Sequence, residues 1–202
     1  MKLYYSPGAC SLASHIALFE AGIDFESIAA PTKTHKLADG TDFYSINPLG
    51  YVPVLELDDG RRLREGPAIL QYIADQAPNT GLAPANGTFE RYQLQEWLNF
   101  IATEVHKSFS PLFAPGTPAE TRTAAHERLK NRLHWVNDTL HGKKFLMGDI
   151  FTVADAYLFN VSNWAKFVSL DLSGYTNLLE FRALIAARPT VISAMKAEGL
   201  IK

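Results

Sequence analysis

The sequence predicts two domains of different class: an α/β domain built as βαβ then ββα, and after it an all-α domain, a bundle of helices. Three observations carry this. Short runs of strand composition are confined to residues 1–80. Helical periodicity alternates with them there and stands alone afterwards. A polar connection bearing proline and glycine, Pro78 to Gly87, separates the two regimes, so the expected domains are 1–80 and 87–202.

Lys2 to Tyr5 reads as a strand stopped by Ser6-Pro7-Gly8, and from Ser11 the set Leu12, Ile16, Phe19 recurs at helical spacing until Gly22. Phe25 to Ala29 is the next strand, and a βαβ crossover makes the two parallel. A polar stretch from Pro31 to Asp42 leads to Asn47-Pro48-Leu49-Gly50-Tyr51-Val52-Pro53, a loop by composition. Val54 to Leu57 and Arg61 to Leu63 flank Asp58-Asp59-Gly60 as a hairpin. Glu65-Gly66-Pro67 then opens a helix with Ile69, Leu70, Ile73 and Ala74 on one face. Beyond the connection, helices are expected over Phe89 to Phe113, Pro118 to Leu140 and Val153 to Leu170, with shorter ones from Asn177 and Pro189. Thr152 with Asp155 three residues on has the form of a capping box, a folding device with no chemistry of its own.

Composition narrows the function. Of 202 residues 47% are apolar and 20% charged, which excludes a disordered chain. The formal charge of −2, without runs of like charge, argues against a nucleic-acid partner. No segment approaches the roughly 18 apolar residues of a membrane span, and the first residues lack a signal-peptide core, so a cytoplasmic protein is expected. One cysteine excludes an internal disulfide. The six histidines contain no pair at i, i+3 or i+4, so no metal is expected.

Cys10 falls between the first strand and the first helix, where exposed N–H groups and the helix dipole favour thiolate over thiol. Position alone leaves two readings open, an inert core thiol and a reactive one. There is no Cys-x-x-Cys, so any redox cycle at Cys10 must borrow an external thiol, and glutathione is the obvious one in the cytoplasm. Val52, extended because it precedes Pro53, can offer its backbone to a peptide as an added strand. Glu65 is placed to accept from an amino group, and the N–H groups of the following helix to take a carboxylate. The plainer reading of Glu65 is a helix cap after an ordinary hairpin. Asn99, Thr103, Glu104, His106 and Lys107 form a polar patch on the long helix, either a ligand-facing patch or a solvated face.

Five segments in register resemble the cytosolic glutathione transferases, specifically the bacterial beta class. They are Tyr5-Ser6-Pro7-Gly8-Ala9-Cys10-Ser11-Leu12-Ala13, Asn47 through Leu55, Glu65-Gly66-Pro67-Ala68-Ile69, Asn99 through Lys107, and Phe151-Thr152-Val153-Ala154-Asp155-Ala156-Tyr157. The resemblance implies a thioredoxin-like first domain and a helical second domain carrying the electrophile pocket and homodimer contacts. It implies that Cys10 and His106 meet the glutathione sulfur, that Val52 pairs with the tripeptide backbone, and that Pro53 is cis. Glu65 and Gly66 would hold the γ-glutamyl end, and Asn99, Thr103 and Glu104 would reach it from a second subunit. Lys107 and His35 would lie at the glycine end, and Tyr5 is the alternative sulfur donor. Gly66 stands where many relatives carry serine, and His35 where a relative carries lysine, so one hydroxyl contact and one fixed cation are absent. The reaction implied is conjugation of glutathione thiolate to small hydrophobic electrophiles. Alternatives on the same residues are a glutathione-dependent thiol-disulfide oxidoreductase and a non-catalytic ligand-binding member.

Overall fold

The first strand is short because Ser6-Pro7-Gly8 cannot extend it, and the elements that follow keep the expected order. A computed structural model describes all residues, Met1–Lys202, in two compact units, one of Met1–Ala83 with Arg188–Lys202 and one of Pro84–Ala187.

In the first unit β1 (Lys2–Tyr5), α1 (Ser11–Ala21), β2 (Glu26–Ala29), β3 (Val54–Glu56), β4 (Arg62–Arg64) and α2 (Gly66–Gln76) form the βαβ-ββα succession. The sheet order is β2-β1-β3-β4, with β1 parallel to β2 and antiparallel to β3, and β3 antiparallel to β4. Leu3 therefore lies between Ser27 and Leu55, and Leu3, Val54 and Leu55 are wholly buried. Helix α1 ends at Gly22, whose left-handed φ of 63° lets its N–H return to Leu18 and Phe19 carbonyls. Eight successive residues of α1, Ser11 to Leu18, are buried, so it is covered on more than one side.

Part of that cover comes from the far end of the chain, which corrects the expected 87–202 domain. Helix α8 (Pro189–Ala197) packs on α1, and Arg188 forks onto both carboxylate oxygens of Glu20 at 2.6 and 2.7 Å, where Thr190 also donates. Composition could not reveal this, because α8 has the same helical signal as its neighbours.

The second unit holds α3 (Phe89–Phe100), α4 (Lys107–Phe113), α5 (Ala119–Thr139), α6 (Val153–Ser162) and α7 (Thr176–Ala186). The helix expected over Phe89 to Phe113 is interrupted: Ile101–His106 winds as a wider π turn between α3 and α4. Every residue of α6 is buried, and its start is fixed by the Thr152–Asp155 capping box. Asp155 accepts from Leu146 N–H at 2.8 Å, Thr152 N–H at 2.7 Å and the Thr152 hydroxyl at 2.8 Å. Burial pushes its carboxyl up to about 6 against the downward pull of these donors. No helix is long and apolar enough to cross a membrane.

Candidate active site

In the first unit the turn from β1 into α1 is bound tightly before any ligand is considered. Ser11 Oγ accepts from Ser6 N–H at 3.1 Å, and Ala9 N–H donates to Ser6 C=O at 3.0 Å. Gly8 N–H donates to Glu198 Oε2 at 2.8 Å, and Glu198 Oε1 lies 3.0 Å from His15 Nδ1. His15 is wholly buried, with Ser27 Oγ at 3.3 Å from its other ring nitrogen. A carboxylate near the chain's end thus clamps the loop that carries Cys10.

Cys10 is the N-cap residue of α1, with no side-chain capping bond, and its thiol donates to Val52 C=O at 3.1 Å. The Val52–Pro53 peptide bond is cis, and both residues are buried at the start of β3. Val52 N–H has no hydrogen-bond partner within the chain. The preceding turn is set by Asn47, which donates to Tyr51 C=O at 2.7 Å and accepts from Leu49 N–H at 3.3 Å. Gly50, at φ 68°, lies beneath the stacked rings of His35 and Tyr44, so that a Cβ there would stand 2.8 Å from Tyr44 and 2.9 Å from His35. His35 itself has a φ of 52°. Gly50→Ala is therefore expected to cost about 1–3 kcal/mol, read from the urea midpoint. Gly66, the first residue of α2, has open space where a methyl group would stand, with nothing within 4 Å, and Gly66→Ala should instead stabilise by about 0.4–1 kcal/mol.

Glu65 does not cap α2 with its side chain, which removes the plainer reading of this residue. Its backbone takes an unusual left-handed φ of 69°, its C=O accepts from Ala68 and Ile69 N–H, and its carboxylate is exposed. A strained non-glycine residue of this kind costs about 1–3 kcal/mol and is typical of ligand clamps. Tyr5 is half-buried with its ring 5.2 Å from that of His15, and burial together with the Glu198 charge raises its phenol.

In the second unit the π turn changes which side chains share a face. The α-helical period of 3.6 residues per turn, on which the expected polar patch depends, fails across Ile101–His106. Asn99, Thr103 and Lys107 are exposed, and the Thr103 hydroxyl donates back to Asn99 C=O at 2.9 Å. Glu104 is engaged by Arg132 Nε at 2.6 Å, a partner that no spacing rule could have paired with it. His106 turns inward: Nδ1 is 2.6 Å from Tyr157 Oη, and its ring meets Tyr157 and Trp164 edge-on at 5.9 and 4.9 Å. Phe109, Phe113 and Trp164 form one ring cluster, in which Phe109 is wholly buried and Phe113 about half exposed.

Burial, reinforced by the Lys107 charge, brings His106 down from 6.5 to about 4. A folded-state value below the unfolded one means that its contribution to stability is whole above about pH 6.5 and is lost as pH falls toward 4. The loss is expected to be about 3 kcal/mol, and a urea series between those limits should show a flatter pH dependence in His106→Gln.

Two family models match the chain. The glutathione S-transferase N-terminal domain model covers residues 8–76 and the C-terminal domain model residues 100–189. The chain is 47% identical to Glutathione S-transferase GstA of Escherichia coli O157:H7, over 99% of this chain and 100% of the relative. It belongs to the glutathione S-transferase family. Among solved structures, a sphingomonad glutathione S-transferase complexed with glutathione is 49% identical, with full coverage of both chains and a TM-score of 0.96. A bacterial beta class glutathione S-transferase of Sphingomonas chungbukensis matches with the same identity, coverage and TM-score. The fold is thus that of this family of transferases, thioredoxin-like sheet first and helices after. No three His, Cys, Asp or Glu side chains are grouped where they could hold a metal ion.

Tyr157, His15 and Glu198 escaped sequence reasoning. Tyr157 lies within a segment singled out for its cap and for the family resemblance, with no role given to the tyrosine, and the His15–Glu198 contact spans 183 positions, beyond any spacing rule.

Proposed function

We propose that the β1–α1 turn, the cis-Val52–Pro53 loop and the start of α2 bind glutathione, and that its sulfur is conjugated to small hydrophobic electrophiles. The observation that carries the reading is the 3.1 Å contact of Cys10 Sγ with Val52 C=O, which brings a thiol at a helix N-terminus beside a backbone whose N–H is unused. Val52 N–H pairs with the tripeptide backbone as an added strand. Glu65 takes the γ-glutamyl ammonium, and the first N–H groups of α2, beginning at Gly66, take its carboxylate. Pro53 shapes the edge, His35 and Lys107 serve the glycine end, and Tyr5 is the alternative donor to the sulfur. The chain acts as a cytoplasmic homodimer in which Asn99, Thr103 and Glu104 reach the second subunit's glutathione.

The chemical requirement is a sulfur anion. An ordinary thiol near pKa 8.5 is only a few per cent ionised at neutral pH, so the protein must stabilise the thiolate. Cys10, His106 and the α1 dipole do so. The thiol proton leaves to solvent, a carbon–sulfur bond forms on the electrophile, and the bond to its leaving group breaks. The Phe109, Phe113 and Trp164 rings supply an apolar surface for that electrophile.

The test is the pH–rate profile for conjugation of an aryl halide. Removing a thiolate stabiliser raises the thiol pKa, so Cys10→Ala and His106→Ala are expected to move the acid limb of kcat/KM to higher pH and lower its neutral value about tenfold or more. Unchanged profiles in both variants remove these residues from the mechanism. Faster reduction of a mixed disulfide than conjugation of the halide would favour the oxidoreductase reading, and failure to bind immobilised glutathione a non-catalytic one. Light scattering at micromolar concentration reads the dimer directly.

A further inference from the structure

The hydrogen bond between His106 and Tyr157 determines more than where the ring sits. A neutral imidazole carries one N–H, so its two nitrogens are unlike, and whichever partner one nitrogen takes fixes the role of the other. Here Nδ1 is 2.6 Å from Tyr157 Oη, while Nε2 has no hydrogen bond within the chain and is not among the sealed-off polar atoms. Tyr157 is 3% exposed and Trp164 8%, so the surroundings of Nδ1 are packed.

The direction of the bond follows from the chemistry of the two groups, which lie 2.6 Å apart. An imidazole nitrogen is a far better proton acceptor than a phenol oxygen, whose own proton is lost only near pH 10. Tyr157 O–H therefore donates to Nδ1, and the ring proton resides on Nε2.

We propose that Tyr157 is a positioning residue that locks His106 in the Nε2–H tautomer, so that His106 meets the glutathione sulfur as a neutral hydrogen-bond donor and not as a base. This rests on the reading that places His106 at the sulfur. The charged groups adjoining it on its own helix are Lys107 and Glu104, the latter paired with Arg132, and α6 presents Tyr157. None of these supplies a negative charge free to stabilise an imidazolium. An imidazole whose pKa lies near 4 is also a poor base for a thiol near 8.5. No covalent bond changes in the step: the thiolate, its proton already given to water, accepts Nε2–H.

The test begins with the unmodified protein, labelled with nitrogen-15 in histidine and saturated with glutathione. Long-range proton–nitrogen correlation is expected to show His106 protonated at Nε2 and bare at Nδ1; the reverse pattern overturns the proposal. In Tyr157→Phe both tautomers should appear. The bound thiol, followed by thiolate ultraviolet absorbance, should titrate about one unit higher, with kcat down about tenfold and the KM for glutathione nearly unchanged. A Tyr157→Phe protein of wild-type tautomer or wild-type thiolate titration overturns it too. His106→Ala separates the two failures. If that variant also leaves the thiolate titration unmoved, the placement of His106 at the sulfur fails and takes the donor role with it, while the spectrum alone still decides the lock.

Discussion

Asp155→Ala is expected to destabilise the second unit by about 3–5 kcal/mol, enough to leave much of the protein unfolded at 37 °C. The carboxylate is wholly buried and receives three donors, two of them backbone N–H groups of Leu146 and Thr152. Alanine removes the acceptor and leaves both N–H groups where water does not reach, at about 1–3 kcal/mol each. Asparagine keeps one oxygen of similar shape and should lose about half as much. Urea unfolding followed by circular dichroism reads both variants, and an Asp155→Ala midpoint within error of wild type would show the cap to be dispensable. The consequence reaches the proposed chemistry, because α6 carries Tyr157 and a frayed α6 releases the partner of His106.

This cap was legible in the sequence, since Thr152 and Asp155 stand at the spacing the device requires. The mixed sheet was equally legible: strands bounded by Ser6-Pro7-Gly8 and Asp58-Asp59-Gly60 carry their own stop signals, and the crossover rule fixes β1 parallel to β2. Chemistry at Cys10 could be suspected from its position alone. What could not be read was anything dependent on distant pairing. Glu104 met Arg132, His106 met Tyr157, and Arg188 returned to Glu20, each across tens of residues or more with no local pattern to announce it.

The π turn is a subtler case. Asn99, Thr103, His106 and Ser110 form a stripe at α-helical period, yet Ile101–His106 winds more widely and turns His106 inward while Thr103 stays exposed. A single inserted widening leaves no mark in composition. It arises when tertiary packing, here of α4, α5 and α6 around the turn, outweighs the small cost of a poorer hydrogen-bond ladder.

Glu198→Ala is expected to cost about 3–5 kcal/mol in the first unit and to loosen the turn that presents Cys10. One carboxylate spans two obligations: Oε2 accepts Gly8 N–H two residues before Cys10, and Oε1 holds the His15 ring inside α1. His15 is wholly buried and Glu198 is 5% exposed, so neither partner can turn to water when the other is removed. Glutamine preserves the length and one oxygen and should cost about 1–2 kcal/mol, because only one of the two contacts is compromised. Stability alone would not distinguish a clamp on the turn from ordinary core packing. Hydrogen exchange does: in Glu198→Gln, amides from Gly8 to Ala13 should exchange faster while those of α2 stay protected. Uniformly faster exchange across the unit would mean that Glu198 serves the core and has no special hold on the thiol's loop.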